Sequence, residues 1–305
     1  SVPPVVHDGT VAPEQAGGLE RWKTLEVIDG HCERFPRVDF IEFTNRINRR
    51  MAREVAGIRA RGLPSWWASR LQSMSKAAED PVPAGSVRIF RIPMGGWLIG
   101  TSEGGFAIDP SGADIAEWLW GRMEFAILTQ PLDSTRRNDE LLKRMLMSKP
   151  PRPVLTHIAF HLPVIVMSEV PLVTLGEECG PPKGIKVRAL GRALADGSVP
   201  GSCSYRIEID GGPRLMFVAP ALRESEVTTE PVDVMLLSPR NADLPRIVAK
   251  VKPGLVLLDE GFLCQSMADF PRVSLRDLLT IQKALQPTPS LLLAPGESWD
   301  VTRGK

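Results

Sequence analysis

Apolar residues along the chain follow two patterns, one before and one after residue 85. From Asp39 onward they recur every three or four positions, which predicts an amphipathic helix over 39–61. Its apolar stripe consists of Phe40, Phe43, Ile47, Met51, Val55 and Ile58. Asp39 and Glu42 are typical of a helix start, and Gly62-Leu63-Pro64 of a helix end. A second helix is predicted to begin after Ser65 and to carry Trp66, Trp67, Leu71 and Met74.

After Gly85, short apolar runs alternate with helical patterns. Strands are predicted at Val87–Ile92, Trp97–Gly100, Phe106–Ile108, Phe125–Leu128, Val164–Met167, Ile185–Leu190, Tyr205–Ile209, Leu215–Val218, Val232–Leu237, Leu255–Leu258 and Leu291–Leu293. Helices are predicted at Ala113–Trp120, Asn138–Met147, Asp243–Lys250 and Ser274–Leu285. Strands interleaved with helices predict an α/β layered fold, and the hairpin around Gly211-Gly212 predicts mixed sheets.

The turn-rich segment Asp80–Gly85 separates the two patterns and predicts a domain boundary. Residues 1–85 are then an N-terminal tail followed by a helical arm, and residues 86–305 are the layered domain. Within the arm, 1–18 mixes Pro, Gly and polar residues without periodicity and reads as an extended tail. Its role stays open.

Composition narrows the functional classes. The chain has 37 Lys and Arg against 36 Asp and Glu, so its net charge of +1 argues against a globally cationic nucleic-acid binder. The four cysteines are widely spaced, which favours a reducing compartment, either the cytoplasm or a mitochondrial matrix. The apolar stretch 157–175 contains two His, a Glu and two Pro, so no membrane span is expected there, and no signal peptide is recognised.

Five segments, in their order and spacing, resemble a known fold family. Gly96–Asp109 reads as two paired strands that end in an Asp, followed by Pro110. The strand Phe125–Leu128 runs into the loop Thr129–Thr135, and Gly197–Ser202 spells GSVPGS. Together with the hairpin ending at Pro220 and the strand before Asp259-Glu260, these segments resemble the metallo-β-lactamase superfamily. The resemblance covers about 86–295 and implies an αββα sandwich preceded by an N-terminal helical extension.

The same resemblance implies that the family's metal site is degenerate in this chain. The positions that correspond to it are Asp109, Gln130, Leu132, Ser134, Thr135, Ser198, Pro220 and Glu260. Asp109 alone keeps the family's residue, while amide, apolar, hydroxyl, proline and, at Glu260, carboxylate side chains stand at the other positions. We therefore expect no bound metal, no cofactor and no catalytic residue.

Other candidate chemistry is weaker. His157 and His161 lie four residues apart, but two ligands without a third favour structural histidines over a metal pair. No G-x-S-x-G motif supports a nucleophilic serine. The arm offers a possible partner surface through Arg46, Arg49, Arg50, Arg53, Trp66 and Trp67, since neighbouring tryptophans on a helix are not expected to face one core. Other protein subunits are the expected partners, and nucleic acid has less support.

Three functions remain open. The first is a non-catalytic metallo-β-lactamase-like protein that serves as a structural or accessory subunit of an assembly. The second is a hydrolase with a rearranged mononuclear metal site built from Asp109, Asp133, Glu260 and His157. The third is a ligand-binding module that uses the emptied pocket.

Overall fold

The computed structural model describes residues 9–10, 19–34, 63–93, 95–110, 118–129, 139–156, 178–179, 184–191, 203–259 and 273–303. The helices are α1 (Leu19–Arg34), α2 (Leu63–Ala77), α3 (Asp139–Leu146), α4 (Leu244–Val251) and α5 (Leu275–Ala284). The strands up to residue 156 are β1 (Gly9–Thr10), β2 (Ser86–Arg91), β3 (Trp97–Thr101), β4 (Gly104–Ile108), β5 (Phe125–Leu128) and β6 (Val154–Thr156). The later strands are β7 (Glu178–Cys179), β8 (Ile185–Leu190), β9 (Ser204–Ile209), β10 (Arg214–Val218), β11 (Val234–Leu237), β12 (Leu255–Leu258), β13 (Ser290–Leu291) and β14 (Glu297–Thr302).

These strands form two mixed sheets of seven strands each. The first sheet has the order β1-β14-β2-β3-β4-β5-β6, and the second has the order β13-β12-β11-β10-β9-β8-β7. In the first sheet β4, β5 and β6 are parallel neighbours, and in the second β10, β11, β12 and β13 are parallel neighbours. The parallel strands of each sheet therefore end at a common edge.

Three apolar clusters hold the layers together. The central cluster lies between the sheets and joins residues such as Ile89, Phe106 and Phe125 of the first sheet to Tyr205 and Phe217 of the second. A second cluster packs α1, α4 and α5 on the outer face of the second sheet, and a third packs α2 and α3 on the outer face of the first. This helix-sheet-sheet-helix layering confirms the predicted αββα architecture.

The predicted strands between 86 and 258 that fall on described residues are all present, with ends shifted by at most two residues. Short apolar runs mark the central strands, such as β5 and β11, because every residue in these strands is buried. β8 is covered on one face only, and Lys186 on its other face is exposed. Ser274 caps α5 with a reciprocal hydrogen bond to Asp277, close to the predicted helix start. The sequence analysis missed α1, β6, β14 and the two-residue strands β1 and β7. The strand predicted at 291–293 overlaps β13 only at Leu291.

The N-terminal helices pack on the sandwich. Leu25 and Ile28 of α1 and Trp66 of α2 lie in the outer cluster of the second sheet, while Leu71 of α2 lies in that of the first. The expected boundary near residue 85 coincides with the start of β2 but not with a break in the core. Whether 1–85 behaves as a separate unit stays a prediction.

One expectation about α2 is wrong. Trp66 and Trp67 are 3% and 2% exposed, so neither indole is available to a partner. The reason is that α2 contacts both outer clusters and is buried around more of its circumference than a surface helix.

Several expectations fall outside the described residues. These are the helix predicted over 39–61 with Arg46, Arg49, Arg50 and Arg53, most of the helix 113–120, the strand 164–167, and His157 and His161. In the described part of the chain, no helix is long and apolar enough to cross a membrane.

Candidate functional site

The ends of the parallel strands of both sheets meet at one edge of the sandwich. Asp109 follows β4, Thr129 follows β5, and Asp259 follows β12. The two sheets touch here, because the Cys203 amide donates to the Thr129 carbonyl at 3.0 Å and the Tyr205 hydroxyl donates to the Leu128 carbonyl at 3.1 Å. We call this region the strand-end edge. Ligand and active sites of layered α/β folds commonly lie where such strand ends converge.

Asp109 holds the loop that begins at Thr129. Its Oδ1 accepts the Thr129 amide at 2.7 Å, and its Oδ2 accepts the Thr129 hydroxyl. The side chain is buried, and its backbone has a φ of 45°, an uncommon conformation for a residue with a side chain. Asp109 therefore uses both carboxylate oxygens to fix the end of the neighbouring strand.

Gly96 explains how Asp109 reaches this position. A Cβ atom added at Gly96 would lie 2.1 Å from the carbonyl oxygen of Asp109, and Gly96 itself has a φ of 87°. Any side chain at Gly96 would push the two segments apart and displace Asp109. The Gly95-Gly96 turn is thus part of the strand-end edge.

A buried ion pair joins the two sheets at the same edge. Nη1 of Arg91, at the end of β2, lies 2.7 Å from Oδ1 of Asp259, and the two side chains are 1% and 3% exposed. Arg91 also donates to the Gly96 carbonyl at 2.9 Å and lies 5.0 Å from the ring centroid of Trp97. The guanidinium is therefore a fixed positive charge beside Asp259.

Hydrogen bonds also fix the neighbouring strand ends of the second sheet. The Ala219 amide, just after β10, donates to Ser204 Oγ at 2.9 Å. The Asn241 side chain donates to the Ala219 and Leu222 carbonyls at 2.9 and 2.7 Å. Pro220, which follows Ala219, is half-buried and supplies no side-chain donor or acceptor.

Cys203 is a buried thiol at this edge. Burial raises the pKa of Cys203 to about 12, although hydrogen bonds with Tyr205, Leu190 and Ser204 oppose the shift. A thiol with this pKa stays protonated at neutral pH, and only the thiolate is a good nucleophile or metal ligand. Cys203 is therefore a packing residue.

Two arginines from the N-terminal helices hold the loop between β13 and β14 near the same edge. Arg21 of α1 pairs with the fully buried Glu297 at 2.5 Å and donates to the Leu292 carbonyl at 2.8 Å. Arg70 of α2 donates to the Pro295 carbonyl at 2.9 Å. The Gly296 amide, in the same loop, donates to the Arg91 carbonyl at 2.8 Å, which connects the loop to the Arg91 ion pair.

Of the residues predicted for the degenerate site, the structure describes Asp109 and Pro220, and both lie at the strand-end edge. The others lie outside the described residues; they are Gln130, Leu132, Ser134, Thr135, Ser198 and Glu260. Among the residues that the structure does describe, no three His, Cys, Asp or Glu side chains converge so that they could hold a metal ion. The sequence analysis missed Arg91, and it missed Thr129 as the partner of Asp109.

Comparison with solved structures identifies the class of fold. A possible metal-dependent hydrolase from Veillonella parvula DSM 2008 superposes with a TM-score of 0.50 at 13% identity, over 72% of this chain and 100% of that chain. An isothiocyanate hydrolase from Delia radicum gut bacteria gives a TM-score of 0.48 at 10% identity, over 71% of this chain and 100% of that one. The metallo hydrolase Igni18 from Ignicoccus hospitalis gives 0.47 at 12% identity, over 72% and 100%.

The chain has the metallo-β-lactamase fold, as its two mixed sheets and outer helices indicate. Sequence identities of 10–13% show a shared fold and do not show a shared activity. No protein-family model matches the chain, and no curated protein matches it.

Proposed function

We propose that this chain is a non-catalytic protein of the metallo-β-lactamase fold, which serves as a structural or accessory subunit of a larger assembly. The observation that carries the proposal is the buried pair of Arg91 and Asp259 at the strand-end edge. In this proposal, protein groups make the interactions that would otherwise hold a metal ion.

The two carboxylates that the structure describes at this edge, Asp109 and Asp259, do not fit a metal ion. A zinc ligand oxygen lies about 2 Å from its metal, so an ion on Oδ1 of Asp259 would lie within about 5 Å of the Arg91 nitrogen. At an effective dielectric constant of about 20, that separation gives a repulsion of roughly 7 kcal/mol between a divalent ion and the guanidinium. Asp109 already accepts two hydrogen bonds from Thr129. Both carboxylates therefore favour their present partners.

A zinc titration tests this proposal. The full-length protein competes for zinc with a chromophoric chelator of micromolar zinc affinity. The proposal predicts that the wild-type chain takes no zinc from the chelator. Saturable uptake of one zinc per wild-type chain would instead establish a metal site.

The second candidate is a hydrolase with a rearranged mononuclear site. It is favoured by the likeness of the fold to a possible metal-dependent hydrolase and by the position of Asp109 at the strand-end edge. Its other predicted ligands are Asp133, Glu260 and His157. Hydrolysis of ester or phosphoester test substrates that is lost with a chelator and with Asp133→Asn would favour this candidate.

We also propose that the N-terminal arm contacts the assembly. Arginines around an apolar stripe on the predicted helix 39–61 fit an acidic protein surface, because Arg pairs with carboxylates bidentately. Charge reversal at Arg49 and Arg53 should weaken co-purification of partners without lowering the melting temperature. Truncation of Ile47 and Met51 to Ala should lower the melting temperature instead. The opposite pattern would place the apolar stripe at the interface.

A further inference from the structure

Two arginines contact one tryptophan on the outer side of the first sheet. Cζ of Arg144 lies 4.7 Å and Cζ of Arg152 lies 4.1 Å from the ring centroid of Trp120. Trp118 lies two residues before this tryptophan, and Met147 follows Arg144 by three residues near the end of α3. Lys149 follows Met147 by two residues. We call these six residues the Arg-Trp surface.

Arg152 forms the fixed part of this surface. Its Nη1 donates to the Met123 carbonyl at 2.6 Å and also to the Trp120 carbonyl. Its backbone amide donates to the Met145 carbonyl at 2.9 Å. These contacts hold both the guanidinium and the indole in place without any partner molecule.

Positive charge on this surface is not neutralised by ion pairs within the part of the chain that the structure describes. Arg144 and Lys149 are exposed, and neither forms an ion pair with a described residue. Burial lowers the pKa of Arg152, and the charge of Arg144 lowers it further while Glu124 opposes the change. Arg152 is committed to backbone carbonyls, so the exposed Arg144 is the guanidinium of this surface that is available to an anionic partner.

Exposed apolar side chains accompany these charges. Met147 is 68% exposed and Trp118 is 38% exposed, and with Val27 they are the large exposed hydrophobic residues of the described chain. Exposed apolar groups beside arginine are typical of protein docking surfaces, in which methionine and tryptophan are enriched.

The Arg-Trp surface lies away from the strand-end edge. Trp120 and Arg122 come just before β5, and Met147 and Arg152 come just before β6. Asp109 and Thr129 instead follow β4 and β5. The two regions are thus separated by about the length of a strand, so a ligand at one does not depend on metal at the other.

We propose that the Arg-Trp surface binds an acidic segment of a partner protein. Carboxylates of that segment pair with Arg144 and Lys149, and an apolar side chain next to them packs on Met147. Charge complementarity favours this occupant over single-stranded nucleic acid, which requires aromatic faces free for base stacking. Trp120 already carries two guanidiniums, and the chain as a whole has a net charge of only +1.

Fluorescence anisotropy of the full-length protein tests the proposal. The probe is a short fluorescein-labelled peptide of repeated Glu-Glu-Leu triplets, measured beside a Gln-Gln-Leu peptide and an oligouridylate of similar length. Saturable binding of the acidic peptide in the micromolar range is expected, with weaker binding at higher salt. Arg144→Glu should weaken this binding by at least about tenfold, because like charges then face each other.

Arg246→Glu is the matched control, since Arg246 is an exposed arginine without an ion pair to a described residue, on the eight-residue helix α4. It should change the affinity by less than about twofold. Melting temperatures of both variants show that each folds. Equal effects of the two variants, equal binding of the Gln-Gln-Leu peptide, or binding of the oligouridylate alone would overturn the proposal, whatever the zinc titration shows.

Discussion

Removal of the Arg91 guanidinium is the sharpest structural test of the strand-end edge. Arg91→Met keeps much of the side-chain volume but leaves Asp259, which is 3% exposed, without the cation that lies 2.7 Å away. Loss of one partner of a buried ion pair costs about 3–5 kcal/mol. For a chain of this size, each kcal/mol lowers the melting temperature by roughly 2–3 °C, so a decrease of about 6–15 °C is expected.

The same strand supplies a matched control. Arg88 lies on the outer face of β2 and pairs with Asp300 at 2.7 and 3.0 Å, but Asp300 is 43% exposed. Because water screens an exposed pair, Arg88→Met should cost less than about 1 kcal/mol. The two substitutions are chemically identical and differ in burial.

A double-mutant cycle measures the pair itself. Arg91→Met combined with Asp259→Leu removes both charges, so the double variant should be less destabilised than the sum of the two single variants, by at least about 2 kcal/mol. Urea denaturation of the four proteins gives this coupling energy. The buried ion pair would not stabilise the fold as described if the free energy of unfolding of Arg91→Met lay within about 1 kcal/mol of wild type, or if the coupling energy were below about 0.5 kcal/mol.

Three further predictions concern the core, pH dependence and thiol reactivity. Ile28→Ala, at a fully buried position of α1, should lower the free energy of unfolding measured in urea by about 2–4 kcal/mol. Val27→Ala, at a position that is 47% exposed, should lower it by less than about 1 kcal/mol. Equal decreases would mean that α1 does not pack as described. Hydrogen bonding to Arg214 lowers the pKa of Asp233, so the ionised carboxylate stabilises the folded state. Asp233→Asn should therefore lower the free energy of unfolding by about 1–2 kcal/mol at pH 7, and wild type and variant should become equally stable as the pH falls through the lowered pKa. A stability difference that persists in acid would contradict this prediction. Cys203 should resist alkylation at pH 8 until the chain unfolds, as peptide mass spectrometry can follow; rapid labelling of the native protein would show that the thiol is accessible.

The sequence predicts the strands of this fold well because most of them are short runs of apolar residues. Phe125–Leu128 and Ile185–Leu190 are predicted to the residue. β14 was missed because its segment, ESWDVT, has few apolar residues, and its pairing with β2 is a tertiary interaction. The spacing of Leu25, Ile28 and Cys32 does carry a signal for α1, since these residues lie on one helical face.

The candidate site was predicted only in part. Asp109 was found through the resemblance of its strands to a known family. A sequence signal for Arg91 does exist: it has the same parity as Val87 and Ile89 on β2, so alternation directs it toward the inner layer. A buried arginine requires a carboxylate partner. Asp259, far away in sequence, could not be paired with it without the sheet topology.

Elemental analysis of the native protein tests the central claim most directly. The full-length chain is purified without added metal or chelator, and its zinc, iron and manganese contents are measured by inductively coupled plasma mass spectrometry against protein concentration. If Arg91 and Thr129 hold the carboxylates of the strand-end edge, each metal should be present far below one equivalent per chain. A reproducible ratio near one or two metals per chain would contradict the account and favour the rearranged hydrolase.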